Sequence, residues 1–174
     1  MTFPNLLTKR LALREITEAD TEDLLAIFTS GNVLQYYGME PLKDAGEAKL
    51  LALRFKEGWR NRTSIRWGMQ FDGKLCGTIG FHNWNSYHKR AEIGYEIHPD
   101  YWRFGLTFEA LTSAADFGFS ELGLNRIGAV VRPENTPSLR LLEKAGFEKE
   151  GVMKKAQYSK GLFYDLVLMG KISD

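Results

Sequence analysis

The chain has 174 residues, 44% of them hydrophobic and 13% aromatic, which suits one domain (1–174) with a core that needs no cross-links or metal. Lys plus Arg (23) nearly balance Asp plus Glu (22), so the basic excess of a nucleic-acid binder is absent. Cys76 is the only cysteine, which excludes an intrachain disulfide, argues against structural zinc and fits a reducing cytoplasm.

Arg10–Glu15 alternates polar and apolar residues and reads as a first strand. Thr17 suits the cap of a helix running to about Thr29, with Glu18 and Asp20 at its positive end. Gly31–Pro41 reads as irregular and aromatic, and Ala45 to about Arg60 as a second helix. Ser64–Phe71 and Lys74–Phe81 flank Asp72-Gly73, a pair favoured in two-residue hairpin turns. Ala91–Ile97 alternates again until Pro99 stops it. Helical spacing resumes from Gly105 to about Leu122, and Asn125–Val131 reads as a strand. Thr136 and Pro137 suit a cap and first residue of another helix, ended by Gly146. Phe147–Val152 and Leu162–Met169 complete the order as strands around a turn containing Gly161. Strand, two helices, three strands, helix, strand, helix and two strands make a mixed α/β fold on a single sheet.

Met1–Arg10 lacks a signal-peptide pattern, and no stretch approaches the ~20 apolar residues needed to cross a bilayer, so a soluble protein is expected. The cluster Lys154, Lys155 and Lys160 reads either as a solvated hairpin or as a grip on an acidic partner.

The segment Glu92–Gly105 carries the chemistry. A strand ends at Pro99, and a glycine turn opens directly into a helix. A helix start offers unpaired N–H groups and partial positive charge, a ready phosphate site that needs no lysine. The donors would be the N–H groups of about Phe104–Phe108, with Gly105 letting the backbone approach the ligand. The turn lacks the glycine and lysine spacings of nucleotide-binding loops.

Thirty residues after Gly105 comes Asn135-Thr136-Pro137-Ser138-Leu139-Arg140-Leu141-Leu142-Glu143-Lys144-Ala145-Gly146-Phe147. Together the two segments resemble the GNAT N-acetyltransferase superfamily, and within it the ribosomal-protein N-terminal (alanine/serine) acetyltransferase branch. That branch shows A-E-I-G-Y, tyrosine-tryptophan, a glycine turn and T-E-A-L. Here these are Ala91–Tyr95, Tyr101-Trp102, Gly105 and Phe108-Glu109-Ala110-Leu111. Its N-x-x-S-x-x-L-x-E-K-x-G-F pattern is met from Asn135 to Phe147. The resemblance implies a mostly antiparallel central sheet of six to seven strands flanked by about four helices. The turn departs from the family at Phe104, usually small or basic, and at Thr107, usually small; the Thr107 hydroxyl could instead donate to a phosphate oxygen.

The same resemblance implies acetyl-CoA as donor, no metal, and an amine acceptor, foremost the N-terminal α-amine of a protein. Pantetheine would lie along the strand ending at Ile97 and His98, the pyrophosphate on Arg103, Phe104, Gly105, Leu106 and Thr107, with Asn135 contacting the donor from the next loop. An α-amine with pKa near ~8 is partly neutral already, so a modest base suffices. Glu92 is the preferred base and Glu96 the second, against the plainer reading of solvent-facing strand residues. Ser138 is the candidate for protonating the thiolate, against a plain first-turn helix role; Tyr158 and Tyr164 are unranked alternatives. Tyr36, Tyr37, Trp59, Trp67 and Trp84 could wall the acceptor pocket, Tyr36 and Tyr37 foremost, against the plainer reading of aromatic packing. His82, His88 and His98 read as surface or core residues, and Cys76 as core. The rivals are an acetyltransferase for a polyamine, amino acid or antibiotic, and a non-catalytic coenzyme A sensor or scaffold. Dimers occur in the family, so a homodimer is also compatible.

Overall fold

A computed structural model describes residues 2–173. Two short strands, Leu6–Leu7 (β1) and Ala12–Glu15 (β2), precede helices Thr21–Thr29 (α1), Gly31–Leu34 (α2) and Ala45–Arg60 (α3). Then come Ile65–Phe71 (β3), Lys74–Asn85 (β4), Arg90–Ile97 (β5), helix Leu106–Ser120 (α4), Arg126–Val131 (β6), helix Thr136–Lys144 (α5), Glu148–Ser159 (β7) and Leu162–Ile172 (β8). The strands form one eight-stranded sheet in the order β1-β2-β3-β4-β5-β6-β8-β7, antiparallel throughout except for β5 and β6.

The mixed α/β class is as expected, with one strand and one helix more than the sequence pattern suggested. β1 is two residues long and α2 four, too short to leave a periodic signal. Thr17 caps a 3-10 turn at Glu18–Asp20, from which α1 follows. Asn135, one residue earlier than Thr136, caps α5 by accepting from the Ser138 N–H. Asp72 and Gly73, both at positive φ (48° and 80°), make the expected two-residue turn.

Alternation along the strands gives the sheet two coats. On one face Trp67, Met69, Ile79, Phe81, Ile93 and Ile127 pack against α4. Ala110, Ala114 and Ala115 are fully or almost fully buried there, and their small side chains let the helix lie close to the sheet. Burial of Leu106 and Leu111 adds about 2–3 kcal/mol each. On the other face α1 and α3 bury Leu24, Ile27, Phe28, Ala48 and Ala52 with Ile16 and Leu75.

One departure from sheet regularity positions the site. β5 and β6 are paired only from Arg90↔Arg126 to Glu92↔Gly128. Beyond that, β5 stays with β4 as far as Gly77↔Ile97, and β6 stays with β8 as far as Val131↔Val167. Two parallel neighbours that follow different partners must part, and a gap opens in the middle of the sheet.

Candidate active site

The helix start at α4 is built as the sequence suggested. Gly105 is the N-cap at φ 74°, a left-handed conformation that a β-carbon disfavours, and Arg103 is left-handed as well (φ 68°). The first helical bond runs from the Glu109 N–H to the Gly105 carbonyl, 3.2 Å. Among the described residues no protein acceptor meets the N–H groups of Phe104 to Phe108. Leu106 turns its side chain into the core and offers only its backbone, whereas Phe104 is exposed and Thr107 half-buried. Arg10 braces the turn: its Nη1 donates to the Phe104 carbonyl (2.7 Å) and its Nε to Glu109 Oε2 (2.8 Å). Ninety-odd positions separate Arg10 from these partners, and no local pattern could have linked them.

The edge of β5 beyond Glu92 lacks a strand partner. The His98 N–H donates to the Cys76 carbonyl on β4, 2.8 Å. By antiparallel alternation, Ile93, Tyr95 and Ile97 therefore turn their backbone groups toward the gap. The Tyr95 carbonyl accepts from the Tyr37 hydroxyl (2.9 Å) and the Ile97 carbonyl from the Trp102 indole (3.0 Å). The N–H groups of Tyr95 and Ile97 are left facing the gap. His98 is different: its N–H goes to Cys76 and its carbonyl accepts from Tyr101, so its backbone is committed within the protein.

The gap holds a throat of about 210 Å³ lined by residues from seven segments of the chain, among them Tyr36, Tyr37, His82, Tyr95, Asn135 and Ser138. The sequence had paired Asn135 with Ser138 but not with Tyr95. The Tyr95 hydroxyl and Ser138 Oγ are 2.6 Å apart. Burial pushes the Tyr95 phenol up to about 12, against the pull of Ser138, so it stays protonated. Neither tyrosine named from the sequence as an alternative proton donor is in the throat. Tyr164 lies 3.5 Å beneath the Arg132 guanidinium, and Tyr158 is exposed beside Phe163 on the β7–β8 hairpin.

The two glutamates differ sharply. Glu96 is 5% exposed and fully engaged, bonded by Arg66, Thr78 and Tyr37. A carboxylate so held under the strand is structural, and it is not available to an amine. Glu92 is half-exposed, with His82 Nε2 3.3 Å from its Oε2. The His82 contact, with help from Asn83 and Arg90, holds its carboxyl below the ordinary range despite partial burial. Burial does not raise Glu92 toward a base poised near neutrality; the group is an ionised partner of a histidine.

A second depression, about 560 Å³, adjoins the throat through Ala129 and Val130. Its floor is Gly128, Val130 and Leu168, and its walls include Trp84, Asn83, Arg90, Glu92 and Arg126. Arg126 is ion-paired with Glu150. Of the aromatic candidates, Tyr36 and Tyr37 line the throat and Trp84 the groove, while Trp59 and Trp67 belong to the core. Cys76 is fully buried, its thiol pushed up to about 11 by burial, which leaves it inert. Among the described residues no group of three or more His, Cys, Asp and Glu side chains could hold a metal, and no helix is long and apolar enough to cross a membrane.

A parted strand pair with a phosphate-ready helix start on one side and a proton-donor pair inside is the architecture of a coenzyme A-dependent acyltransferase. The chain belongs to the GNAT acetyltransferases: a family profile described as an acetyltransferase (GNAT) domain matches residues 10–148. It is similar to the uncharacterized N-acetyltransferase YoaA of Bacillus subtilis, with 46% identity over 165 residues, 94% of this chain and 93% of that one. Its fold matches a ribosomal-protein-S5-alanine acetyltransferase from Vibrio fischeri (TM-score 0.85, 23% identity, 99% and 98% of the two chains). It also matches a spermidine N-acetyltransferase from Vibrio cholerae solved with CoA and spermine (TM-score 0.83, 24% identity, 94% and 95% covered). The protein is an N-acetyltransferase of this family, whose members use acetyl-CoA as donor.

Proposed function

We propose that the acceptor is the N-terminal α-amine of a protein, of the ribosomal-protein kind, attacking acetyl-CoA directly in a ternary complex. The observation that carries this reading is the groove beside the throat. It is about 560 Å³, lined by Gly128, Val130 and Leu168 of the sheet and by Asn83 and Asn85 at the end of β4. An extended peptide with its amine in the throat suits such a surface. Charge argues against a polyamine. Arg90, Arg126 and Arg132 line groove and throat against Glu92 alone, and that carboxylate already has a partner in His82. A polycation would meet no free acidic lining.

On the donor side, the N–H groups of Phe104 to Thr107 with Arg103 would receive the pyrophosphate, and the Thr107 hydroxyl would add one donor. The N–H groups of Tyr95 and Ile97 would hold the pantetheine arm and polarise the thioester carbonyl. Asn135 keeps the α5 cap, and through it Ser138, facing the throat. Ser138, hydrogen-bonded to a phenol that stays protonated, is the proton donor for the departing thiolate.

The test is acetyl-CoA turnover, followed as free thiol, against peptides with N-terminal Ala or Ser, spermidine, free amino acids and an aminoglycoside. Peptides are expected to give kcat/KM at least about tenfold above every small amine. Faster turnover of spermidine would replace the peptide reading. Saturable acetyl-CoA binding with no turnover on any amine would favour a coenzyme A sensor.

A further inference from the structure

The acetyl transfer proposed above needs a group to take the amine's proton, and the two depressions of the site separate the candidates. Glu92 lines the groove but not the throat, whereas His82 lines the throat but not the groove. Tyr95 and Ser138, the proton donors for the sulfur, are in the throat with His82. Resting on that reading, we infer that His82 is the catalytic base of the transfer and Glu92 the positioning residue behind it.

The local backbone explains how a strand histidine comes to face the gap. The register of β4 against β5 shifts between His82 and Asn85, and Asn83 sits at φ 49°. His82 is the last residue before that bulge, and the regular antiparallel register sets it directly across from Glu92. The ring presents two different edges. Nε2 is 3.3 Å from Glu92 Oε2. The opposite edge lies over Gly94, with Cε1 3.4 Å and Nδ1 3.7 Å from where a β-carbon on that glycine would stand. With the Nε2 proton turned to the carboxylate, Nδ1 carries the lone pair toward the throat. Gly94 keeps that lone pair uncovered.

The charged and titratable groups around the ring come from every neighbouring strand. Glu92 faces it from β5 and Arg66 from β3, the latter with Nη1 also 3.4 Å from the Gly94 position. Tyr36 and Tyr37 face it from the segment after α2, and Arg132 from the end of β6, while Arg90 stands beside Glu92. The Arg66 charge is taken up by Glu96. Glu92 is thus the carboxylate that can compensate an imidazolium at this position. A carboxylate held ionised is a weak proton acceptor and an effective counter-ion, which divides the roles as stated.

In the step itself the amine nitrogen bonds to the thioester carbonyl carbon, and the nitrogen's proton passes to Nδ1. Collapse of the tetrahedral adduct breaks the C–S bond. The sulfur takes the proton of the Ser138 hydroxyl, which draws the Tyr95 proton in turn; the phenolate is reprotonated from solvent as the imidazolium returns its proton there, so amine and acetyl-CoA become amide and free thiol with every residue restored.

Two measurements test the assignment. The first is the pH dependence of kcat for an N-terminal Ala or Ser peptide. His82→Gln should lower kcat about 10²-fold or more, with KM for peptide and acetyl-CoA within about threefold, and should abolish the acidic limb. Glu92→Gln should lower kcat about tenfold, because the ring loses the carboxylate that orients it and compensates its charge during the transfer. A His82→Gln enzyme within threefold of wild type, or a Glu92→Gln enzyme that loses more than His82→Gln, overturns the proposal. The second needs no acceptor: nitrogen NMR of histidine-labelled protein, with His82 assigned through His82→Gln. The expected signature is a neutral ring protonated on Nε2, with the Nδ1 tautomer gaining population in Glu92→Gln. An Nδ1-protonated ring, or a tautomer indifferent to Glu92→Gln, rejects His82 as the base. If no amine is acetylated at all, the acceptor reading has failed by itself and the NMR signature alone decides on His82.

Discussion

The two sides of the gap between β5 and β6 are made by different means. The donor side is mostly backbone: the N–H groups at the start of α4, those of Tyr95 and Ile97 on a strand edge, and an Asn135 cap that sets Ser138. The acceptor side is side chains drawn from positions 36 to 157, Tyr36, Tyr37, His82, Arg132 and Gln157 among them, which meet only in the folded chain. A site made of backbone is set by φ, ψ and strand pairing, so it survives changes such as Phe104 and Thr107 that leave the helix start in place. A site made of side chains is rewritten by any of its members. One donor and many acceptors can therefore share this fold.

The strongest way to break that division is to attack what both sides stand on. Glu96, with Arg66, Thr78 and Tyr37, lies under β5, and Tyr37 also holds the Tyr95 carbonyl. Glu96→Ala would leave the Arg66 guanidinium buried without its carboxylate, at a cost of about 3–5 kcal/mol in urea unfolding. The same variant should weaken acetyl-CoA and acceptor binding together. A loss below about 1 kcal/mol would mean the network is not shared support.

Next in size is the proton donor at the boundary of the two sides. Ser138→Ala is expected to lower kcat about 10²-fold, near 2.7 kcal/mol of transition-state stabilisation, with little change in either KM. Tyr95→Phe, which spares the hydroxyl nearest the sulfur, should cost about tenfold. An equal or larger loss in Tyr95→Phe would make the phenol the direct donor. On the donor side alone, Gly105→Val forces a β-branched residue into the left-handed cap and should raise the Kd for CoA about tenfold. Its peptide KM should stay within twofold. Thr107→Ala with unchanged CoA affinity would remove the hydroxyl role proposed for Thr107.

The same division explains what could be read before folding. Gly105, the strand ending at Pro99 and the Asn135–Phe147 run are local patterns, and each became the predicted element of the donor side. Glu92 and Glu96 alternate correctly onto one strand face, yet their environments are set by His82 and Arg66 on strands β4 and β3. Nothing in their spacing separates a buried structural carboxylate from an ionised partner of histidine. His82 was passed over for a related reason. Its partner is set by the cross-strand register with Glu92, in a stretch where Phe81 looked like the strand's end and β4 in fact runs to Asn85. The Tyr95–Ser138 contact joins two motifs 43 residues apart, each legible alone.

The smallest effects come from two matched carboxylates that tie one helix start on each side to β2 and its approach. On the acceptor side Asp20 accepts from Arg14 Nη1 and Nη2 (2.9 and 2.7 Å) and from the Thr17 N–H (2.8 Å). On the donor side Glu109 accepts from the Arg10 N–H (2.6 Å) and Arg10 Nε (2.8 Å). Burial works to raise both carboxyls, but their bonds to arginine, threonine and backbone more than offset it, and both are held below the usual carboxylate range. A depressed carboxyl stabilises the fold fully above its unfolded value of about 4, and the contribution disappears as pH falls through the lower folded value. The stability gap between wild type and Asp20→Asn should therefore be constant from pH 7 to about 5 and shrink below pH 4, and the Glu109→Gln gap should do the same. What distinguishes them is ligand affinity at neutral pH. Asp20→Asn loosens the entry to α1 and α2, which lead to Tyr36 and Tyr37, so it should raise the peptide KM and spare CoA. Glu109→Gln frees Arg10 from the α4 turn, so it should raise the CoA Kd and spare the peptide. A crossed result, with Asp20→Asn weakening CoA, would show that the two sides communicate through β2.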